Sequence, residues 1–195
     1  MDIVTMRLVE DKVDAPWDIV CFINSFANYP TLTNMLIKDA VKLWQEDKER
    51  AKFVFGPIET WDVTQVDNMS YLFYNAKKFN EDISKWDVRN VTDMSGMFYR
   101  ATNFEGDLSN WNMSKVTNTS WMFSGCSKFN SDLSGWDVSK VTDMSGMFYE
   151  AYHFCCDLSG WKVGNVRAMK ETFYKALNFR SDLSGWDVSN VMNMR

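Results

Sequence analysis

Apolar residues fall at Leu133, Trp136, Val138, Val141, Met144, Phe148, Ala151 and Phe154, with mostly polar residues between them. The same order of positions recurs at intervals of 25. Trp61, Trp86, Trp111, Trp136, Trp161 and Trp186 form one column, and Val66, Val91, Val116, Val141, Val166 and Val191 a second. Phe73, Phe98, Phe123, Phe148 and Phe173 form a third, and Phe79, Phe104, Phe129, Phe154 and Phe179 a fourth. Fixed spacing without insertions is the signature of stacked repeats, each burying an apolar face on the next.

The pattern changes period within a unit. Its front half, from Leu133, has the L-x-x-L-x-L spacing of a leucine-rich repeat, and a period of 25 lies in that range rather than at the roughly 40 or more residues of a propeller blade. Trp136 and Val138 alternate with Gly135, Asp137 and Ser139, which predicts a short strand. Met144, Met147, Phe148 and Ala151 then follow the i, i+3, i+4, i+7 stripe of a short helix. Thr142 is placed to cap that helix, as are Thr92 and Thr117, and Asp67 can do the same. Ala76, Ala101, Ala151 and Ala176, with Cys126 once in their place, supply the small residue where helix meets strand layer. The expected fold is an α/β repeat solenoid, leucine-rich-repeat-like, with one short strand and one short helix per unit over residues 58–195.

Residues 1–57 do not repeat. A helix is predicted from Leu32 to Arg50, with Leu36, Ala40, Leu43 and Trp44 on its apolar face and Gly56 and Pro57 closing the segment. The stretch "APWDIVCFINSF" can add a small helix. This region is expected to be a helical N-terminal cap over the first repeat's apolar face.

"WDVSKVTDMSGMFYEA" and "FNSDLSGWDVS" resemble the repeats of BspA-like leucine-rich-repeat surface proteins. "LIKDAVKLWQEDKERAKFVFGPIETWDV" resembles the cap preceding such repeats in viral and protist members. The resemblance runs from about Leu32 to Arg195. It implies a domain of unassigned function without catalytic residues and, in bacterial members, attachment to host or matrix at the cell surface.

Charge narrows the field. The formal net charge of −5 and the absence of any Lys/Arg run argue against nucleic acid as a partner. Acidic residues stand where a signal peptide needs a basic start, and no stretch approaches a membrane span. The chain as given therefore reads as cytoplasmic, without membrane insertion. Cys21, Cys126, Cys155 and Cys156 follow neither a disulfide framework nor zinc-ligand spacing. Cys126 reads as a small buried hydrophobe, and Cys155 and Cys156 as exposed thiols in polar turn columns. His153 is the single histidine, and no phosphate loop or nucleophile motif occurs. No enzyme activity, cofactor or metal is expected.

The column Asp82, Asp107, Asp132, Asp157 and Asp182, beside Ser84, Ser109, Ser134, Ser159 and Ser184, suits turns; a calcium ladder is the alternative. Asp62, Asp87, Asn112, Asp137, Lys162 and Asp187 form an outward column on the predicted strand face, beside Thr64, Arg89, Ser114, Ser139, Gly164 and Ser189. From these we take Asp62, Asp87, Asn112, Asp137, Asp187 and Arg89 as candidate binding residues for a protein partner; the alternative is that they only keep the face soluble. Tyr74, Tyr99, Tyr149 and Tyr174 suit half-buried packing between helices, or a protein contact. The expected function is a non-enzymatic binding module, adhesin-like by resemblance. The alternative is an assembly element: "WDVSNVMNMR" stops part-way through a unit, so a homo-oligomer through the C-terminal edge is expected.

Overall fold

The computed structural model describes residues 29–194. The small helix expected within "APWDIVCFINSF" and Cys21 lie outside the described residues.

The helix expected over Leu32 to Arg50 is two helices, α1 (Asn34–Glu46) and α2 (Lys48–Phe55). Leu32 stays outside because its N–H donates to the Asp62 carbonyl at 2.8 Å. Thr33 caps α1, its hydroxyl accepting the Leu36 N–H at 3.4 Å. The break lies at Asp47, whose backbone is extended at φ −146°. Its N–H closes α1 on the Leu43 carbonyl at 2.7 Å, and its carboxylate opens α2 by accepting the Arg50 N–H at 3.0 Å. Ile37, Ala40, Val41 and Trp44 are the buried positions of α1, while Leu36 and Leu43 are only partly covered. Trp44 meets Trp61 edge-on at 5.6 Å and Phe55 meets it at 6.0 Å, so the two helices cover the first ring of the tryptophan column.

From Trp61 onward no described residue is in an α-helix. This corrects the helix expected in each unit. Met69, Tyr71, Phe73 and Asn75 donate their N–H groups to the carbonyls of Asp93, Ser95, Met97 and Tyr99 in the next unit, at 2.7–2.9 Å. The intervening N–H groups of Leu72, Tyr74 and Ala76 turn back to Met69, Tyr71 and Phe73. Alternate donors thus point along the stack, and none remains for the i→i−4 bonds of a helix. Every fourth residue of this ribbon has positive φ: Tyr71 and Asn75, Gly96 and Arg100, Trp121 and Gly125, Gly146 and Glu150, Glu171 and Lys175. A four-residue turn repeat brings the i, i+3, i+4, i+7 positions inward just as a helix does, so the hydrophobic stripe does not distinguish them. Parallel bridges pair Asn68 with Asp93, Asp93 with Asn118, Asn118 with Asp143, Asp143 with Ala168 and Ala168 with Asn193.

The other half of the unit is corrected too. Trp136 and Val138 are buried and Asp137 exposed, as alternation requires, but no strand forms. The Trp136 N–H turns back to Leu133 and the Val141 N–H to Val138. Side chains join the units here. The indole N–H groups of Trp86, Trp111, Trp136, Trp161 and Trp186 donate to the carbonyls of Ile58, Ile83, Leu108, Leu133 and Leu158 at 2.8–3.2 Å. Asn90, Asn165 and Asn190 add amide bonds to the carbonyls of Thr64, Ser139 and Gly164. Nor do the threonines cap helices: Thr92, Thr117 and Thr142 direct both N–H and hydroxyl to the carbonyls of Asp67, Thr92 and Thr117 in the unit before.

Two phenylalanine ladders fill the core. Phe73, Phe98, Phe123, Phe148 and Phe173 stack at 5.4–5.7 Å between centroids. Phe79, Phe104, Phe129, Phe154 and Phe179 stack at 5.8–6.0 Å. Stacked pairs of this kind add about 0.5–1.5 kcal/mol each beyond the area they bury. Cys126 is buried with Ala76, Ala101 and Ala151 in the small-residue column, and its thiol donates to the Phe98 carbonyl at 2.8 Å. Burial pushes that thiol far above the ordinary cysteine range.

Candidate functional site

Asp62, Asp87, Asn112, Asp137 and Asp187 each follow a tryptophan whose ring is turned into the stack. In each, one side-chain oxygen accepts the N–H two residues on, from Thr64, Arg89, Ser114, Ser139 and Ser189, at 3.0–3.3 Å. This closes an Asx turn and fixes how the side chain leaves the surface. Asp87 is also paired with the Arg89 Nε at 2.8 Å, and Asp62 accepts the Thr31 hydroxyl at 2.8 Å. Five of the six predicted binding residues therefore share one column, interrupted by Lys162, with Asn112 uncharged among the acids and Arg89 beside Asp87 in the adjacent column. Each carboxylate is held below its usual range: Asp62 by the Thr64 hydroxyl and N–H, Asp87 by the Arg89 guanidinium, Asp137 and Asp187 by the hydroxyl and N–H of Ser139 and Ser189.

A second acidic column is built the same way. Asp82, Asp107, Asp132, Asp157 and Asp182 accept the N–H groups of Ser84, Ser109, Ser134, Ser159 and Ser184 at 2.9–3.0 Å. These are the turns expected from the sequence. Among the described residues no three His, Cys, Asp or Glu side chains gather around one point, the arrangement a calcium ladder would require. The units of Trp86, Trp111, Trp136 and Trp186 thus carry an Asx turn on either side of the tryptophan, whereas that of Trp161 has only the one at Asp157.

The reactive side chains are dispersed. Cys156 differs from the expected exposed thiol: it is half-buried and accepts the Leu133 N–H at 3.1 Å, the task done by the Ser131 and Ser181 hydroxyls for Leu108 and Leu158. Burial raises its pKa. The Cys155 side chain is exposed, and His153 is exposed with its Nδ1 2.5 Å from the Ser127 carbonyl. Among the described residues neither side chain is hydrogen-bonded to a second titratable side chain.

The tyrosine column lies on the turn ribbon. Tyr74 stacks on Tyr99 at 5.4 Å and Tyr149 on Tyr174 at 4.9 Å. Tyr99 and Tyr149 are half-buried, as packing predicts, but Tyr74 is 51 % exposed and Tyr174 49 %. Trp121, which the column reading missed, fills the gap left by Ser124, 6.5 Å from Tyr99 and 5.7 Å from Tyr149. It belongs to the left-handed column Tyr71, Gly96, Trp121, Gly146, Glu171, in which the Tyr71 ring lies across Gly96 and the Trp121 ring across Gly146. The alternation of ring and glycine at an interval of 25 is the sequence signal that identifies it. Tyr71, Tyr74, Tyr99 and Trp121 line a shallow trough of about 290 Å³. A second trough of about 370 Å³ shares Tyr71 and runs along Lys38, Lys42, Gln45 and Glu46 of α1.

Among the described residues no helix is long and apolar enough to cross a membrane. No curated protein matches the chain. The family described as "Mycoplasma protein of unknown function, DUF285" matches residues 41–161 and again 122–195. These overlapping matches take in most of the chain and all of its repeated units after the first tryptophan, and the chain accordingly belongs to the DUF285 family.

Proposed function

We propose that this chain is a non-enzymatic interaction module, a leucine-rich-repeat-like solenoid of the BspA-like kind. It presents Asp62, Asp87, Asn112, Asp137 and Asp187, with Arg89, to a protein partner. One observation carries the reading: the four aspartates and Asn112 are each held by an Asx turn at the same place in their units, with Arg89 paired to Asp87 and Lys162 as the one interruption. A ladder held that firmly loses little freedom when a partner engages it. The likeness to surface proteins points to a host or matrix protein as that partner.

Asn112 makes the same turn without charge, which supplies the test. Asp87→Asn with Asp137→Asn keeps both turns and removes two charges. Recovery of partners from a host extract should fall for this variant while circular dichroism shows the fold retained. Unchanged recovery of every partner would leave the column as a solubilising surface only.

A second reading is an assembly element. Leu177 is 62 % exposed and Met192 79 %, and Phe173, Phe179 and Trp186 are only partly covered where the preceding members of their columns are buried. Apolar surface of this kind suits another repeat unit, including one from a second copy. Under this reading, sedimentation equilibrium shows a mass rising with concentration and insensitive to Asp87→Asn with Asp137→Asn.

A further inference from the structure

We propose that the trough lined by Tyr71, Tyr74, Tyr99 and Trp121 is a second binding site, and that it takes an extended, proline-containing acidic peptide from a partner protein. The first argument is an imbalance of donors. The tryptophans of the Trp61 column each donate their indole N–H to a carbonyl. The Trp121 indole N–H and the hydroxyls of Tyr71, Tyr74 and Tyr99 make no hydrogen bond to any described residue. An extended polyproline-type segment is the complement, because its carbonyls make no internal hydrogen bonds and its proline rings pack against aromatic side chains.

The second argument is rigidity. Each ring packs against a neighbour. Tyr71 and Trp121 lie across glycines held at positive φ, and Tyr99 is stacked on one side by Tyr74 and flanked on the other by Trp121. A trough whose walls are already fixed favours a ligand that is itself stiff.

The third argument is charge. The chain is acidic overall, at −5. The adjoining trough, which shares Tyr71, is however lined by Lys38 and Lys42 with Glu46 as the opposing acid, and the Arg100 guanidinium lies 5.4 Å over the Tyr99 ring of the aromatic trough. A peptide that runs from the aromatic trough across Tyr71 into this adjoining one therefore meets a net positive lining, which selects for acidic residues beside the prolines.

The test is fluorescence polarisation with a labelled peptide alternating proline and glutamate, against the whole chain. Saturable binding is expected. It should weaken at least about tenfold when lysine replaces the glutamates, and likewise when alanine replaces the prolines. Lys38→Glu with Lys42→Glu, and separately Tyr74→Ala with Tyr99→Ala, should each cost a similar factor, with melting curves confirming the fold. The lysine pair is exposed on α1, so that variant still decides the matter if the tyrosine variant unfolds. The Trp121 indole resonance, assigned with Trp121→Phe, should move on binding. Asp87→Asn with Asp137→Asn should leave binding unchanged, which separates this site from the acidic column. Equal binding of the lysine peptide, or indifference to Lys38→Glu with Lys42→Glu, would overturn the proposal. So would displacement of the peptide by a sulfated oligosaccharide at lower concentration, which would reassign the trough to a glycan.

Discussion

Replacing Trp136 separates two contributions that the stack combines. Its ring is 4 % exposed, lies parallel to Trp161 at 6.4 Å and meets Phe123 at 6.2 Å. Its indole N–H donates to the Leu108 carbonyl at 2.9 Å. Trp136→Ala removes ring and bond together and should cost about 3–5 kcal/mol, the usual loss for a large buried aromatic. Trp136→Phe keeps most of the ring. It also spares the acceptor, because the Leu108 carbonyl retains the Trp111 N–H at 3.1 Å. Its cost should stay near that of one net hydrogen bond plus a little lost area, about 1–2 kcal/mol. Melting temperatures should drop by roughly 2–4 °C per kcal/mol for a chain of this size. Urea unfolding measures the free energies directly. Amide exchange should show the Trp136→Ala damage reaching the Trp111 and Trp161 units, since each repeat depends on its neighbours. If Trp136→Phe proves as costly as Trp136→Ala, the hydrogen bond outweighs the ring and the packing argument fails. A loss below about 1 kcal/mol for Trp136→Ala would refute the buried register itself.

Gly146 has φ 60° and a Cβ there would meet the Trp121 ring, whereas a Cβ at Gly135 meets nothing within 4 Å. Thermal melts should therefore show Gly146→Ala destabilising by about 1–3 kcal/mol and Gly135→Ala changing stability by less than about 0.5 kcal/mol. Asp47→Ala removes the carboxylate that opens α2 and should cost about 1 kcal/mol in the same assay. Aspartates 62, 82, 87, 107, 132, 137, 157, 182 and 187 all have folded pKa values below the ordinary 3.8, held down by hydrogen bonds from the following Ser, Thr or Arg. The folded state thus binds fewer protons there than the unfolded chain, so the urea midpoint should hold from neutral pH to about pH 5 and fall below about pH 4. Asp132→Asn with Asp137→Asn should flatten that fall.

The columns were legible because burial and period are both written in the sequence. Every tryptophan and phenylalanine of the four columns packs in the stack, and the aspartate–serine pairs form the turns that their chemistry dictates. The conformation of each half-unit was not legible from periodicity. Met144, Met147, Phe148 and Ala151 point inward from a turn ribbon as they would from a helix. The discriminating signal was glycine: Gly96 and Gly146 stand where a helix interior would be weakened by about 1 kcal/mol, and Gly125 marks the second left-handed column. The acidic column was found from the alternation of Trp136, Asp137 and Val138, although no strand underlies it. Trp121 escaped because it belongs to neither the tryptophan nor the tyrosine column. Its partner is a glycine in the following unit, a relation that shows only when the units are laid side by side.

The hydrogen bonds that tie unit to unit span fixed chain separations: 24 residues in the ribbon, 25 at the threonines and 28 at the indoles. A single inserted residue must be looped out at an exposed turn if these three sets of bonds are to stay in phase. Length can change in steps of one whole unit with every set of bonds kept in phase and nothing looped out. Each step extends or trims the side-chain columns by one rung without reshaping the rungs already there.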